Sequence, residues 1–203
     1  MYVPTQFKPD DTAVQELLTH HGAADLITAG PEGLEATLLP FVYDADHTVL
    51  LGHFARNNDH WKRVDGQRAL VIVRGPDSYI SPSWYASKRE HGRVVPTWNY
   101  MTAHVHGTVT IHDDVTWVDS LVRRLTDLHE AHRPAPWGVG DAPEKYVNGQ
   151  LRAIVGVEVR IDRIDAKFKL SQNRPASDID GVVDGLHSVG DDAGAGMVAA
   201  HRP

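Results

Sequence analysis

Basic and polar residues gather where a predicted strand meets a short predicted helix. The segment Gly52–Arg63 contains His53, Arg56 and Asn58, and Asn58 has the side chain of a typical helix N-cap. A helix N-terminus offers unpaired N–H groups and a partial positive charge, so this junction could hold a phosphate. The same residues also suit a solvated turn between a strand and a helix, and spacing alone favours that simpler interpretation.

Aromatic residues are interleaved with hydrogen-bonding residues between Ser78 and Tyr100. Five aromatic side chains occur in these 23 residues, among Ser, Thr, Asn and Lys. Such a surface can stack a flat conjugated ring and hydrogen-bond its edges. Alternatively, the aromatic residues close the end of a barrel or line a dimer seam.

A third segment, Lys167–Arg174, follows the last predicted strand. It combines three cations, Lys167, Lys169 and Arg174, with Ser, Gln and Asn. This composition suits an anionic ligand, and it suits the wet, protected end of a strand at least as well.

Composition excludes several kinds of chemistry. The 203 residues include no Cys, which rules out disulfides, a thiolate nucleophile and cysteine-ligated metals. Among the 13 His, His104 and His106 share one side of a strand, but no acidic residue is interleaved with them, so a metal site is not expected. Phosphate-binding glycine loops and the hydrolase nucleophile motif are also absent. Any chemistry must therefore use His, carboxylates, hydroxyls or a borrowed cofactor.

The charge balance of the chain argues against nucleic acid as a direct partner. Lys and Arg number 20 against 27 Asp and Glu, for a formal net charge of −7, and phosphate neutralisation by basic residues supplies most DNA affinity. The one long predicted helix carries Arg123 and Arg124 among acidic residues, which is typical of a solvated face. No apolar run is long enough to cross a bilayer and the N-terminus lacks signal-peptide features, so a cytoplasmic protein is expected.

The elements that must position these residues are mostly short strands. Alternation and turn residues predict strands over 24–29, 34–42, 48–54, 68–74, 100–111 and 154–164, and helical segments over 12–21, 57–64, 116–132 and 143–150. A capping box at Thr12–Gln15 is predicted to start the first helix, and Gly107 is predicted to allow a bulge or a close approach. We therefore predict a mainly β fold, a barrel of six to eight mainly antiparallel strands with flanking helices, over residues 1–187. Residues 188–203 show no periodicity and are predicted to be a disordered tail.

Six blocks of sequence occur in a familiar order: Met1–Pro4 with Phe7, Leu39–Phe41, Gly52–Asn58, Tyr79–Tyr85, Val95–Tyr100 and Lys169–Arg174. Together they resemble the PaiB family of FMN-binding split-barrel proteins. Asp59 stands where many relatives carry Pro, which alters the helix start and keeps its polar cap.

The resemblance implies an FMN-binding split β-barrel that forms a homodimer, with FMN at the subunit interface, and a role as a negative transcriptional regulator. By the same resemblance, Arg56 and Asn58 hold the FMN phosphate and His53 adds a hydrogen bond. The isoalloxazine ring is lined by Trp98 with Thr97 and Asn99. The pyrimidine edge or the ribityl chain faces Lys88, or else Lys169 and Gln172 contributed by the partner subunit.

Two other classes of function stay open on the residues. The chain shows no acid/base pair or nucleophile, so an FMN-dependent oxidoreductase that uses NAD(P)H would leave the chemistry to the flavin. A binding module for haem or a flavin-like ligand would use His53, His104 or His106 as iron ligands. Direct DNA binding is not favoured.

Overall fold

Six strands close into one barrel in the order β1-β2-β3-β6-β5-β4 in the computed structural model, which describes residues 1–203. The strands are β1 Ala23–Gly30, β2 Gly33–Asp44, β3 Val49–Ala55, β4 Arg68–Ile80, β5 Thr97–His112 and β6 Ile154–Lys169. Pairing is antiparallel between β1 and β2, β1 and β4, β2 and β3, and β3 and β6. The mainly β barrel predicted from the sequence is confirmed, with six strands.

Six α-helices accompany the barrel: α1 Asp11–His20, α2 Ser87–Glu90, α3 Val115–Glu130, α4 Glu144–Leu151, α5 Ala176–Ser188 and α6 Asp192–Ala200. Short 3-10 turns occupy Thr5–Phe7, Asp59–Arg63, Pro82–Trp84 and Val139–Asp141. None of the helices has the length and apolar character that a membrane span requires.

The first helix begins differently from the prediction. The Ala13 backbone N–H donates to Asp10 Oδ1 at 2.8 Å, so Asp10 rather than Thr12 caps α1. An aspartate one residue before the helix satisfies the same orphan N–H groups that the predicted capping box would have satisfied.

Strand pairing gathers apolar side chains, together with Asp25, on one outer face of the sheet. Ile27 of β1 pairs with Leu70 of β4 and with Ala36 of β2, and paired residues share a face. Leu34 and Leu38 alternate with Ala36 along β2 and are 80% and 63% exposed. We call this surface the outer apolar face; it comprises Ile27, Leu34, Ala36, Leu38, Leu70 and Ile72, with Asp25 between Leu38 and Ile72.

Two glycines allow close approaches around β6. A Cβ at Gly107 would collide with the Arg160 carbonyl oxygen, which confirms the close approach predicted there. A Cβ at Gly156 would enter the ring of Trp117, and that ring stacks on His112 at 4.1 Å with an interplanar angle of 7°. Only a residue without a side chain fits beneath the indole.

The chain divides into two compact units. The first unit combines Met1–Leu17, Arg74–Ala103 and Asp165–Pro203, and the second combines Leu18–Val73 and His104–Ile164. The core of the first unit consists of Ile80, Tyr85, Ile179, Val182, Leu186, Ala195 and Val198. In the second unit, α3 packs on the sheet through a cluster of Val42, Val49, Leu51, Leu121 and Leu125.

The C-terminal residues differ from the disordered tail that their low periodicity predicts. Helix α6 buries Ala195 and Val198 in the core of the first unit. Its start is fixed by Asp191, whose Oδ1 accepts from the Gly194 N–H at 2.8 Å and whose Oδ2 accepts from Ser78 Oγ at 2.5 Å. Because α6 is made of small residues on every side, it carries no amphipathic pattern for a sequence analysis to detect.

Candidate functional site

Asn58 caps the turn that follows β3, as predicted. Its Oδ1 accepts from the His60 N–H at 3.0 Å, and its Nδ2 donates to Thr37 Oγ1 at 3.2 Å. The element that it caps, Asp59–Arg63, is a single 3-10 turn. A turn this short aligns few peptide dipoles, so the positive end that the sequence predicts here is weak.

Arg56 is engaged by groups of its own chain. Its Nε donates to the Arg152 carbonyl at 2.7 Å, and one Nη donates to the Ile154 carbonyl at 3.1 Å. Both Nη atoms also donate to the Asp113 carboxylate, at 3.1 and 2.5 Å. The hydrogen bond from Arg56 holds the pKa of Asp113 below its usual range. Four of the five guanidinium N–H groups therefore have partners, and one remains.

Two histidines of this segment are buried in different ways. His53 Nδ1 is buried and has no hydrogen-bond partner, and burial lowers the pKa of His53. His60 is fully buried, with Nε2 and Nδ1 each 2.8 Å from the hydroxyl of Thr28 and of Thr37. Burial lowers the pKa of His60 as well. His60 could not be recognised from the sequence, because its partners Thr28 and Thr37 are distant residues in β1 and β2.

In the first unit, Lys169 is held against the start of β5. Its Nζ donates to Thr97 Oγ1, and to the Trp98 carbonyl oxygen at 2.8 Å. Burial, with Lys167 and Arg174 nearby, lowers the pKa of Lys169. The Trp98 side chain is 52% exposed and meets Tyr79 edge to face at 6.3 Å. A partly desolvated cation thus bonds to the backbone of a residue whose aromatic side chain is accessible.

The turn after Lys169 has an unusual backbone. Ser171 has a φ of 68°, in the left-handed region, and its Oγ accepts from Nδ2 of the buried Asn99 at 3.0 Å. The Gln172 side chain accepts from the Leu170 N–H and donates to the Phe168 carbonyl, both at 2.7 Å. The hydrogen bonds of Asn99 and Gln172 therefore fix the backbone next to Lys169.

Lys88 lies on α2, where its Nζ donates to Ser83 Oγ at 3.0 Å. The helix is anchored by Asp178 of α5, which is fully buried and accepts from the Ser87 N–H and from Ser87 Oγ, both at 2.9 Å. The sequence analysis does not find Asp178, because it lies 91 residues beyond Ser87 in a helix that was not predicted.

The nine predicted site residues fall into two groups. Thr97, Trp98 and Lys169 contact one another in the first unit, where Asn99 and Gln172 brace the same turn and Lys88 stands on α2. The second unit holds His53, Arg56 and Asn58. No group of three or more His, Cys, Asp or Glu side chains is arranged to hold a metal ion.

The donor set of the first group fits a flavin. Lys169 uses two of its three N–H groups on Thr97 and Trp98, which leaves one for a ligand oxygen or nitrogen. The exposed indole of Trp98 offers a face or an edge to a flat ring. A cationic donor stabilises the anionic reduced form of a flavin, and an exposed aromatic ring can pack against its planar ring system.

Comparison with other proteins supports the same ligand. A sequence model of the family described as "Putative FMN-binding domain" matches residues 1–163. Protease synthase and sporulation protein PAI 2 of Bacillus subtilis is 32% identical over 195 residues, which cover 93% of this chain and 90% of that protein. An uncharacterized protein of Emericella nidulans is 33% identical over 196 residues, which cover 79% of this chain and 78% of that protein.

Solved structures share the fold at low sequence identity. A conserved hypothetical protein from Mycobacterium tuberculosis has a TM-score of 0.62 and 11% identity, covering 86% of this chain and 94% of that one. A FAD and heme binding protein from Mycobacterium smegmatis has a TM-score of 0.57 and 16% identity, covering 81% and 73%. Together, the family match, the relative in Bacillus subtilis and the barrel show that this chain belongs to the PaiB family of FMN-binding split-barrel proteins, and that its cofactor is FMN.

Proposed function

We propose that this protein acts in the cytoplasm as an FMN-binding homodimer that lowers transcription. The observation that carries FMN binding is the Lys169 cluster, which comprises Lys169, Thr97 and Trp98: a held cation bonds to Thr97 Oγ1 and to the backbone of the exposed Trp98. The name of the Bacillus subtilis relative refers to protease synthase and sporulation, which supports a regulatory role.

The Lys169 cluster is our candidate for contact with the flavin ring system. FMN, when bound, supplies reversible transfer of one or two electrons. Lys169 donates its remaining N–H to the cofactor, and Trp98 packs against the ring. Because Lys167 and Arg174 add positive charge nearby, the cluster favours an anionic partner such as the reduced ring.

Arg56, Asn58 and His53 are our candidates for contact with the phosphate. Arg56 retains one unpartnered N–H on a partly exposed guanidinium, and the buried His53 Nδ1 has no partner. Asn58 acts by shaping the turn, since both ends of its amide are engaged. The Lys169 cluster and the group of Arg56, Asn58 and His53 are assigned from different hydrogen-bond donors and are tested by different variants.

Titration of the apoprotein with FMN, followed by quenching of flavin fluorescence, tests the Lys169 assignment. We expect Lys169→Ala to weaken FMN binding by roughly 10- to 150-fold, because a charge-assisted hydrogen bond contributes about 1.5–3 kcal/mol. Lys88→Ala is the competing variant, since Lys88 is the other lysine expected to face the flavin; it is exposed and bonds to Ser83 Oγ. Equal losses in the two variants, or a loss confined to Lys88→Ala, would reject the assignment.

The outer apolar face supports the homodimer. Leu34 and Leu38 are large side chains exposed on a regular strand, and a two-fold axis would let this face bury its own copy. We expect Leu38→Lys to convert the dimer to a monomer in sedimentation velocity. Val189→Lys, at an apolar residue that is 65% exposed outside the sheet, should leave the dimer intact.

A second candidate function is that of an FMN-dependent oxidoreductase using NAD(P)H. It is favoured by the charge of the surface: the net charge is −7, and the two arginines of α3 are paired, Arg123 with Asp119 at 2.8 Å and Arg124 with Asp44 at 3.0 Å. Arginines that already pair with carboxylates neutralise few DNA phosphates and release few counterions, so they add little affinity for DNA.

Two measurements decide between the candidates. Steady oxidation of NADH or NADPH in air by the FMN-loaded protein would favour the reductase. A shift of a labelled promoter fragment at moderate salt, without turnover, would favour a regulator that contacts DNA itself. A haem absorption band in the purified protein would instead point to a haem-binding module, for which His53 is the candidate ligand.

A further inference from the structure

The side chain of Gln172 takes the place of a neighbouring strand at the end of β6. Its Oε1 accepts from the Leu170 N–H and its Nε2 donates to the Phe168 carbonyl, both at 2.7 Å. In a β-ladder, the carbonyl before a residue and the N–H after it point to the same side and bond to backbone groups of the next strand. A carboxamide has the same donor and acceptor as a peptide, so Gln172 fixes the backbone on both sides of Lys169.

The left-handed backbone of Ser171 allows the Gln172 side chain to fold back onto the end of β6. Ser171 has a φ of 68°, a conformation that side chains with a Cβ adopt rarely and keep only where their surroundings hold it. Here the hold comes from Asn99 of β5, whose Nδ2 donates to Ser171 Oγ at 3.0 Å. Both Asn99 and Ser171 are buried, so water does not compete for this bond.

The consequence reaches the amine of Lys169. Lysine has a long side chain with many rotamers, and a free one spreads its charge over a large volume of solvent. With its backbone clamped by Gln172, the Lys169 side chain reaches back to Thr97 Oγ1 and the Trp98 carbonyl. Its ammonium is thereby held at one place at the start of β5, on Thr97 Oγ1 and the Trp98 carbonyl.

We propose that Gln172 is a positioning residue for Lys169, which binds FMN in its turn. The inference rests on the proposed function, in which Lys169 contacts the cofactor. It assigns Gln172 a role different from direct contact with the flavin, since the amide already bonds to the Phe168 carbonyl and the Leu170 N–H.

A double-mutant cycle on FMN affinity tests the proposal. We expect Gln172→Ala to weaken FMN binding three- to tenfold in the otherwise unchanged protein, and less than twofold in a Lys169→Ala background. A coupling of this kind is the signature of one residue acting through another. The midpoint potential of bound FMN provides a second readout: Gln172→Ala should move it in the same direction as Lys169→Ala, and by less.

Ser87→Ala is the matched control for a merely structural role. It removes a hydrogen bond between side chains in the same unit, from Ser87 Oγ to Asp178, without touching Lys169. We expect it to lower the melting temperature about as much as Gln172→Ala does and to leave FMN affinity and potential unchanged. If Gln172→Ala does not fold, Gln172→Met serves instead, since it keeps the length of the side chain and removes both hydrogen bonds without adding a charge.

The outcomes distinguish a failure of the positioning role of Gln172 from a failure of the FMN assignment of Lys169. If Lys169→Ala weakens FMN binding but Gln172→Ala has no effect, or has the same effect in both backgrounds, the positioning role is overturned and the FMN assignment stands. If Lys169→Ala leaves FMN affinity unchanged, the assignment of Lys169 fails, and the positioning role fails with it.

Discussion

Arg56 and Asp113 form a bidentate ion pair that links the end of β3 to the segment between β5 and α3. The two Nη atoms donate to the two carboxylate oxygens at 3.1 and 2.5 Å, across 57 residues of sequence. The same guanidinium donates to the carbonyls of Arg152 and Ile154 at the start of β6. One side chain thus links three parts of the second unit while it keeps one N–H for a ligand.

The Arg56 pair yields opposite predictions for its two members. Arg56→Ala should weaken FMN binding by about 1.5–3 kcal/mol if the remaining N–H contacts the phosphate. Asp113→Ala breaks the same ion pair but leaves the cation, so FMN affinity should be unchanged or slightly higher. Isothermal titration with FMN measures both. Equal losses in the two variants would mean that the ion pair matters only for the structure.

Removing the cap after β3 should cost stability. Asn58→Ala deletes the bond to the His60 N–H and the bond to Thr37, and loss of such a cap costs about 1 kcal/mol. Urea unfolding followed by circular dichroism measures the change. Asn58→Asp keeps the capping oxygen and should cost less than Asn58→Ala; a larger loss would contradict the capping role.

Buried histidine makes the fold sensitive to acid. Burial lowers the pKa of His60 in the folded protein, whereas the unfolded chain titrates at about 6.5. The unfolded state therefore binds more protons between the two pKa values. The stabilisation is complete above about pH 6.5 and is lost as the pH falls through the folded pKa, by at most about 1.4 kcal/mol per pH unit for this group.

We expect His60→Gln to flatten the decline of unfolding free energy between about pH 7 and pH 5, measured by urea titration at each pH. His132→Gln, at an exposed histidine, should leave the slope unchanged. An unchanged slope in His60→Gln would assign the acid sensitivity to other groups, such as His21 and His53, whose pKa values burial also lowers.

Two glycines of the second unit should respond oppositely to a methyl group. Gly156→Ala places a Cβ inside the ring of Trp117, and overpacking of this kind costs about 1–3 kcal/mol or more. Gly149→Ala in α4 meets nothing within 4 Å and should stabilise the helix by about 0.5–1 kcal/mol. Thermal melts of the two variants should shift in opposite directions, and a stabilised Gly156→Ala would contradict the packing described here.

Local patterns predict most of the sheet. Alternation and turn residues locate all six strands, because each strand buries one face and its side chains repeat every second residue. They underestimate β4, β5 and β6, which extend to Ile80, from Thr97 and to Lys169. Those extensions include Gly75, Pro76 and Lys167, and such residues do not continue the apolar alternation by which a strand is recognised.

Partners distant in the sequence explain what the patterns miss. Nothing in the sequence near Arg56 indicates that Asp113 will form an ion pair with it. Nothing near Ser87 indicates that Asp178 will accept its hydrogen bonds. Ser171 shows the same limit at one residue: its left-handed backbone depends on Asn99, which belongs to another strand. The types of residue at the candidate site could be predicted from the sequence, whereas the hydrogen bonds and ion pairs that these residues form could not.

The first unit is assembled from the beginning, the middle and the end of the chain. During synthesis on a ribosome, its core cannot close until Val182, Leu186 and Val198 have left the exit tunnel, so Ile80 and Tyr85 wait unshielded for about a hundred residues of elongation. Contacts this remote in sequence form slowly. A newly made chain therefore exposes part of its core until α5 and α6 have emerged, and this interval is when a chaperone would be of most use to it.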